Sequence, residues 1–169
     1  KKGLSTVVTT LIILVVAVLL ATVVCYYAIN MTTTRVQEEN LMISKAHIWA
    51  SSSIKEAAFV IVNIGGRDAL IDKIQVRGQD MNWSNVFYKR SASAPAEPHI
   101  MSLTPNPSGW GCANKTTLRP LELQSATYMT VYIRNPGTIS VEDVGVTCSI
   151  TVFSASAQYK VEVNVESAS

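Results

Sequence analysis

Residues 11–29 read LIILVVAVLLATVVCYYAI, and no charged residue stands anywhere from Gly3 to Thr34. A bilayer core about 30 Å thick is crossed by ~20 apolar residues in helical form. The uncharged run holds 32 residues, which as helix would extend roughly 48 Å at ~1.5 Å per residue. That exceeds the demand of a membrane by about half, so something besides lipid is expected to keep this helix dry. A bundle of identical helices would do so. Lys1 and Lys2 sit directly before the run, the positive-inside pattern that leaves the N-terminus cytoplasmic and sends the bulk of the chain outside. A cleaved secretory signal is the competing reading, but its apolar core spans about 7–15 residues and ends at a small-residue cleavage site. Here the apolar run is longer and flows onward without a break.

The helical pattern is expected to outlast the aliphatic run. From Met31 to Ser53 there is no Gly or Pro, and Arg35, Gln37, Glu38, Glu39 and Lys45 are reasonable helix formers. Ile29, Val36, Ile43 and Ala50 recur every seven residues, the spacing of one apolar stripe on an otherwise wet helix. The sequence therefore predicts one helix from about residue 4 to residue 53, a first domain at 1–53 and a second at 54–169.

Beyond residue 54 the period changes to two. Ala58, Val60, Val62 and Ile64 alternate up to Gly65-Gly66; Leu70, Ile74 and Val76 are assigned one face of the next strand, ended by Gly78. Residues 82–90 (NWSNVFYKR) read as a further strand with edge character, and 91–111 as a long loop rich in Pro and Ser. Met129, Val131 and Ile133 form another inward face before the Asn135-Pro136-Gly137 turn. Val144, Val146, Cys148, Ile150 and Val152 face inward, as do Tyr159, Val161, Val163 and Val165, and the two runs make a hairpin. Six or seven strands with turns between them and no helical period predict an antiparallel β-sandwich or Greek-key domain of immunoglobulin-like type. The fold class expected is α+β, a long N-terminal α-helix followed by that domain.

The chemistry-bearing residues are sparse. A formal net charge of +2 without a basic stripe gives no case for nucleic-acid binding. His47 and His99 have no Cys or carboxylate at metal-ligand spacing, and Asp68, Asp72, Glu142 and Asp143 read as solvated turn acids. No nucleophile elbow, phosphate loop or Ser/His/Asp arrangement occurs, so neither enzyme activity nor a metal or cofactor is expected. Cys25 reads as a small buried hydrophobe. Cys112 and Cys148 lie in the outer domain, where oxidising conditions favour a disulfide, with two unpaired thiols as the alternative. Asn82-Trp83-Ser84 and Asn114-Lys115-Thr116 are outward-facing glycosylation candidates, whereas Asn30-Met31-Thr32 lies in the helix. Trp49 is expected to pack where helix meets β-domain, and Trp83 and Trp110 to serve packing more than sugar binding.

The opening KKGLSTVVTTLI, residues 1–12, resembles the N-terminus of archaeal type IV pilins and their relatives the archaellins. The resemblance is specific over about 30 residues and architectural over the rest. It implies a basic leader ending in a Lys/Arg-Gly pair, cut between Gly3 and Leu4 by a membrane prepilin peptidase. It further implies assembly by an ATPase-driven platform into a filament whose core is the helix and whose coat is the β-rich domain. The early Glu of bacterial pilins is missing, which favours the archaeal branch. On this resemblance the chain works structurally, as an extracellular adhesive pilus subunit inserted in the membrane before it polymerises with itself. The side chains expected to form the filament core are Leu4, Val7, Val8, Leu11, Ile12, Leu14, Val15, Val18, Leu19, Val23, Ile29, Val36 and Ile43. The archaellum filament is the alternative within the family, and a single-span anchored binding domain the alternative outside it.

Overall fold

The computed structural model describes residues 2–36, 38–101, 110–112 and 121–168. The chain divides into two compact units, Lys1–Glu38 and Glu39–Ser169. The first is a single helix, α1, Lys2–Val36. It is rich in Val, a mediocre helix former in water, but in a medium without hydrogen-bonding solvent the helix is the conformation in which one segment satisfies its own backbone.

The helix stops well short of residue 53. Leu41–Ala50 is a strand, β1, so Ile43 lies in the sheet and the boundary between units falls at 38/39. The seven-residue spacing has a different cause. Ser44 pairs with Val60 of β2 (Lys55–Asn63), yet His47 pairs with Ala58, so β1 spends three residues where β2 spends two. This is a β-bulge, with Lys45 in the left-handed region at φ 50°. It reverses the side-chain phase. Leu41 and Ile43 face the core before it, Ile48 and Ala50 after it. Ile43 and Ala50 are thus seven apart and on the same side of a strand.

The remaining strands are β3 (Ala69–Val76), β4 (Gln79–Asp80), β5 (Val86–Ser91), β6 (Gly111–Cys112), β7 (Leu121–Leu123), β8 (Tyr128–Arg134), β9 (Thr147–Ser154) and β10 (Gln158–Ser167). They join in one sheet of order β4-β3-β9-β10-β1-β2-β8-β5-β6, with β7 also paired to β3. The expected antiparallel immunoglobulin-like sandwich is not formed. The sheet is mixed, because β1 and β10 run parallel, and it curls so that strands far apart in its order share one core. Ile71, Ile74 and Val76 of β3, Val152 of β9, Phe59 of β2, Val131 of β8 and Val86 of β5 all belong to that cluster. The physical reason is the central parallel ladder. It joins the β1-β2-β8-β5 and β9-β3 halves by hydrogen bonds, where a sandwich would leave two separate sheets.

A second bulge falls in β3, between Ile71 and Lys73. It again shifts the phase, so Ala69 and Ile71 point inward, then Ile74 and Val76, while Leu70 is exposed. The shared face assigned to Leu70, Ile74 and Val76 is therefore incorrect. Likewise residues 82–90 are not all strand: Asn82 caps a 3₁₀ turn, Trp83–Asn85, and extended pairing starts at Val86. The hairpin of β9 and β10 pairs as its alternation predicts, with Cys148 opposite Val163 and Ile150 opposite Val161. Val144 and Val146, however, precede β9 and are exposed. Arg77 and Gly78 both have positive φ, 52° and 80°, the two-residue turn that suits the twist between β3 and β4.

Candidate functional site

Every residue from 3 to 34 of α1 is exposed. Eighteen large apolar side chains there lie open, among them Leu4, Val7, Val8, Leu11, Ile12, Leu14, Val15, Val18, Leu19, Val23 and Ile29. They occupy all sides of the helix, so no single stripe is singled out. Several threonine hydroxyls are satisfied within the helix itself. Thr9, Thr22, Thr32 and Thr34 each donate to the carbonyl four residues back, at 2.9, 2.8, 2.8 and 2.9 Å, and Thr10 donates to Val7 three residues back at 2.9 Å. Such back-bonding removes the hydroxyl donor from the helix surface. Gly3–Thr34 is long and apolar enough to cross a membrane. Of the other residues expected in the core, the side chain of Val36 lies outside the described residues, and Ile43 packs in the sheet.

Of the expected Cys112–Cys148 disulfide, Cys148 lies buried in the main core at 2% exposure, and the side chain of Cys112 lies outside the described residues. Cys25 is exposed on α1, not buried. Asn82 is exposed at the surface, and its Oδ1 accepts from the backbone N–H of Ser84 at 3.0 Å and from its hydroxyl at 2.7 Å. Asn114 lies outside the described residues. Asp143 is not a free turn acid. It accepts from the Ser140 N–H at 2.7 Å and from Arg77 Nη1 at 2.8 Å. These bonds, that from the Ser140 backbone foremost, hold its carboxyl below the usual carboxylate range.

The outer face of the sheet holds an arrangement that spacing did not reveal. The β1 bulge turns Lys45, His47 and Trp49 away from the main core. Trp49, Ala58, Phe87 and Tyr132 form a second buried cluster, against which Ile100, Met101, Trp110 and Ala168 pack. Trp49 thus lies within the β unit, and Trp110 meets the Tyr132 ring edge-on at 5.0 Å. The imidazole of His47 stacks on Trp49 with ring centres 5.3 Å apart. Its Nδ1 is 3.0 Å from Glu166 Oε1 and its Nε2 is 3.0 Å from Glu97 Oε1. Trp49 Nε1 donates to the other oxygen of Glu166 at 3.0 Å. Burial pulls the His47 pKa down, but the hydrogen bonds and charges of Glu97 and Glu166 outweigh it, and the net direction is upward. The two ring nitrogens point to different carboxylates, so the three residues do not converge on one ion. Glu97 lies 50 residues from His47 and Glu166 119 residues from it, separations at which no local motif could signal the contact.

No family profile and no curated protein matches this chain. Among solved structures it is similar to a structure of surface layer protein SbsC, domains 1-6, at 13% identity and a TM-score of 0.31. The match covers 78% of this chain and 13% of that one.

Proposed function

We propose that this chain is the repeating subunit of an archaeal type IV pilus-like surface filament, held together through α1 and coated by the β unit. Its work is structural, and its principal partner is another copy of itself. One observation carries the reading: an uncharged helix of 32 residues, Gly3–Thr34, exposed and apolar on every side. A lone span needs ~20 such residues. The surplus, and the absence of a wet side, suit a helix surrounded by its own kind. Burying a Leu or Val contributes ~1.5–3 kcal/mol, so eighteen large apolar side chains supply ample free energy for a polymer without covalent links. The resemblance of residues 1–12 to archaeal pilins adds the route. A basic start is followed by membrane insertion, trimming by a prepilin peptidase, and extraction into the filament by an ATPase-driven platform. An adhesive pilus is preferred to a rotary archaellum because the helix start LSTVV is pilin-like. Cells lacking the protein should then fail to attach to surfaces while still swimming.

The second reading is a single-span anchored surface domain, and a specific observation favours it. The amphipathic continuation to residue 53, which would have lengthened the helix–helix contact, is β1 instead. Electron microscopy of material sheared from intact cells, with mass spectrometry on the same fraction, separates the two. Thin filaments composed mainly of this polypeptide support the pilin reading. Protein confined to the detergent-soluble membrane fraction, without filaments, supports the anchor.

A further inference from the structure

Residues 95–101 have no regular structure, yet they are fastened to the sheet at successive points. Lys45 Nζ donates to the Pro95 carbonyl at 2.8 Å. Glu97 binds His47. Pro98 is buried. The Tyr132 hydroxyl accepts from the His99 N–H at 3.1 Å and donates to the His99 carbonyl at 2.9 Å. The Met101 N–H donates to Glu56 Oε2 at 3.0 Å. Ile100 and Met101 close over Trp49, Phe87 and Tyr132. Such a segment is a strap over an aromatic surface, held chiefly by polar contacts.

We propose that this strap is controlled by one proton: imidazolium His47 clamps Glu97 of the strap and Glu166 of β10 together, and loss of that proton releases the strap from the aromatic cluster. The chemistry follows from the ring. Imidazolium has two N–H donors, one for each carboxylate, whereas neutral imidazole keeps one donor and presents a lone pair to the other acid. Glu166 retains a second donor in Trp49 Nε1. Glu97 retains the Lys45 ammonium at 3.8 Å, beyond hydrogen-bond distance. Whichever ring nitrogen keeps its hydrogen, the bond to Glu97 loses its positive charge, and the described residues place no second donor within hydrogen-bond distance of Glu97 to make good the loss. Among the described residues, the other charged or titratable groups on this face do not replace the clamp. Glu56 is committed to Met101 and stands opposite Arg134 of β8. Tyr132 is committed to His99, with its pKa raised by burial. Lys160 and Glu162, farther along β10, pair with each other at 2.9 Å. The sign is fixed by the raised His47 pKa: the clamp is complete below the ordinary imidazole value of 6.5 and fades as pH rises through the folded value. Opening would bare Trp49 and Tyr132, a pair suited to apolar contact with another molecule.

Hydrogen exchange on the full chain in detergent, corrected for the intrinsic pH dependence of exchange, tests this at the His99 and Met101 amides. Between pH 5.5 and 8.5 protection should fall about tenfold or more, the effect of losing one charge-assisted hydrogen bond. Protection in Glu97→Gln should be low and flat across that range, and His47→Gln should also be flat. A flat profile in the unaltered protein overturns the proposal, as does an unchanged fall in Glu97→Gln. Glu97 is 59% exposed, so its substitution keeps the test available should His47→Gln fail to fold.

Discussion

Val18→Asp separates a helix that lives among helices from one that lives in lipid. Val18 lies 15 residues after Gly3 and 16 before Thr34, roughly 23 Å from either end of the apolar span at ~1.5 Å per residue. An Asp there is too short to reach an interface. In a single span the centre of the bilayer charges about 3 kcal/mol for it, against tens of kcal/mol of favourable transfer from the eighteen large apolar side chains. Insertion should therefore be reduced yet persist. In a filament the same carboxylate recurs in every subunit, walled in by neighbouring helices with no partner, and the cost rises to several kcal/mol. Even 3 kcal/mol raises the subunit concentration needed for assembly more than about 100-fold. The assay compares sheared filaments with membrane-bound protein in the same cells, with Val18→Leu as the volume control. The expected result is filaments in Val18→Leu, none in Val18→Asp, and protein retained in the membranes of both. Filaments of Val18→Asp at the unaltered yield would refute the placement of this helix in a close-packed core.

Phe59 is fully buried among strands from both ends of the sheet, so Phe59→Ala should cost about 3–5 kcal/mol, read as a lowered unfolding midpoint of the full chain. Because the folded Asp143 pKa is depressed, its contribution is present above the ordinary carboxylate range and lost as pH falls through the folded value. Asp143→Asn should therefore flatten the acid limb of thermal stability between about pH 5 and 2 while leaving the alkaline limb as it was. The peptide carrying Asn82 should bear added glycan mass in native material and lose it in Ser84→Ala, whereas an unmodified peptide from native material would exclude this site.

The parts of the fold legible in the sequence are those where one physical signal dominates. A 32-residue span without charge declares itself as helix because the helix is the conformation in which a single segment satisfies its own backbone away from water. The β9–β10 hairpin declares itself because Cys148, Ile150 and Val152 alternate against Tyr159, Val161 and Val163 without interruption. The two failures of phase share one cause. A bulge adds a residue that belongs to neither face, converting the even spacings of a strand into odd ones: Ile43 to Ala50 is seven, and Ile71 to Ile74 is three. Both are helical numbers. In β1 the odd spacing followed directly on a true helix and read as its continuation. The composition of 41–50 carries the opposing signal, since Ile43, His47, Ile48 and Trp49 are weaker helix formers than the charged residues around them.

The same bulge accounts for the invisibility of the His47 site. Without the extra residue, strict alternation from Leu41 and Ile43 would send positions 45, 47 and 49 into the main core, and an imidazole there would meet Phe59 and Ile61 in place of carboxylates. The left-handed turn at Lys45 instead carries His47 and Trp49 to the outer face, where β10, parallel to β1, brings Glu166 alongside Trp49. The strap then supplies Glu97 from a stretch that composition assigns to plain loop. A histidine with no acidic neighbour in sequence thus has two in space, one delivered by sheet topology and one by a loop. Deleting Lys45 would remove the bulge and restore regular pairing at the expense of the site. The expected product keeps one phase along β1, buries His47, and is destabilised by the unsatisfied ring nitrogens by about 1–3 kcal/mol. A variant that kept both its stability and the His47 titration would show that the bulge is not what positions the site.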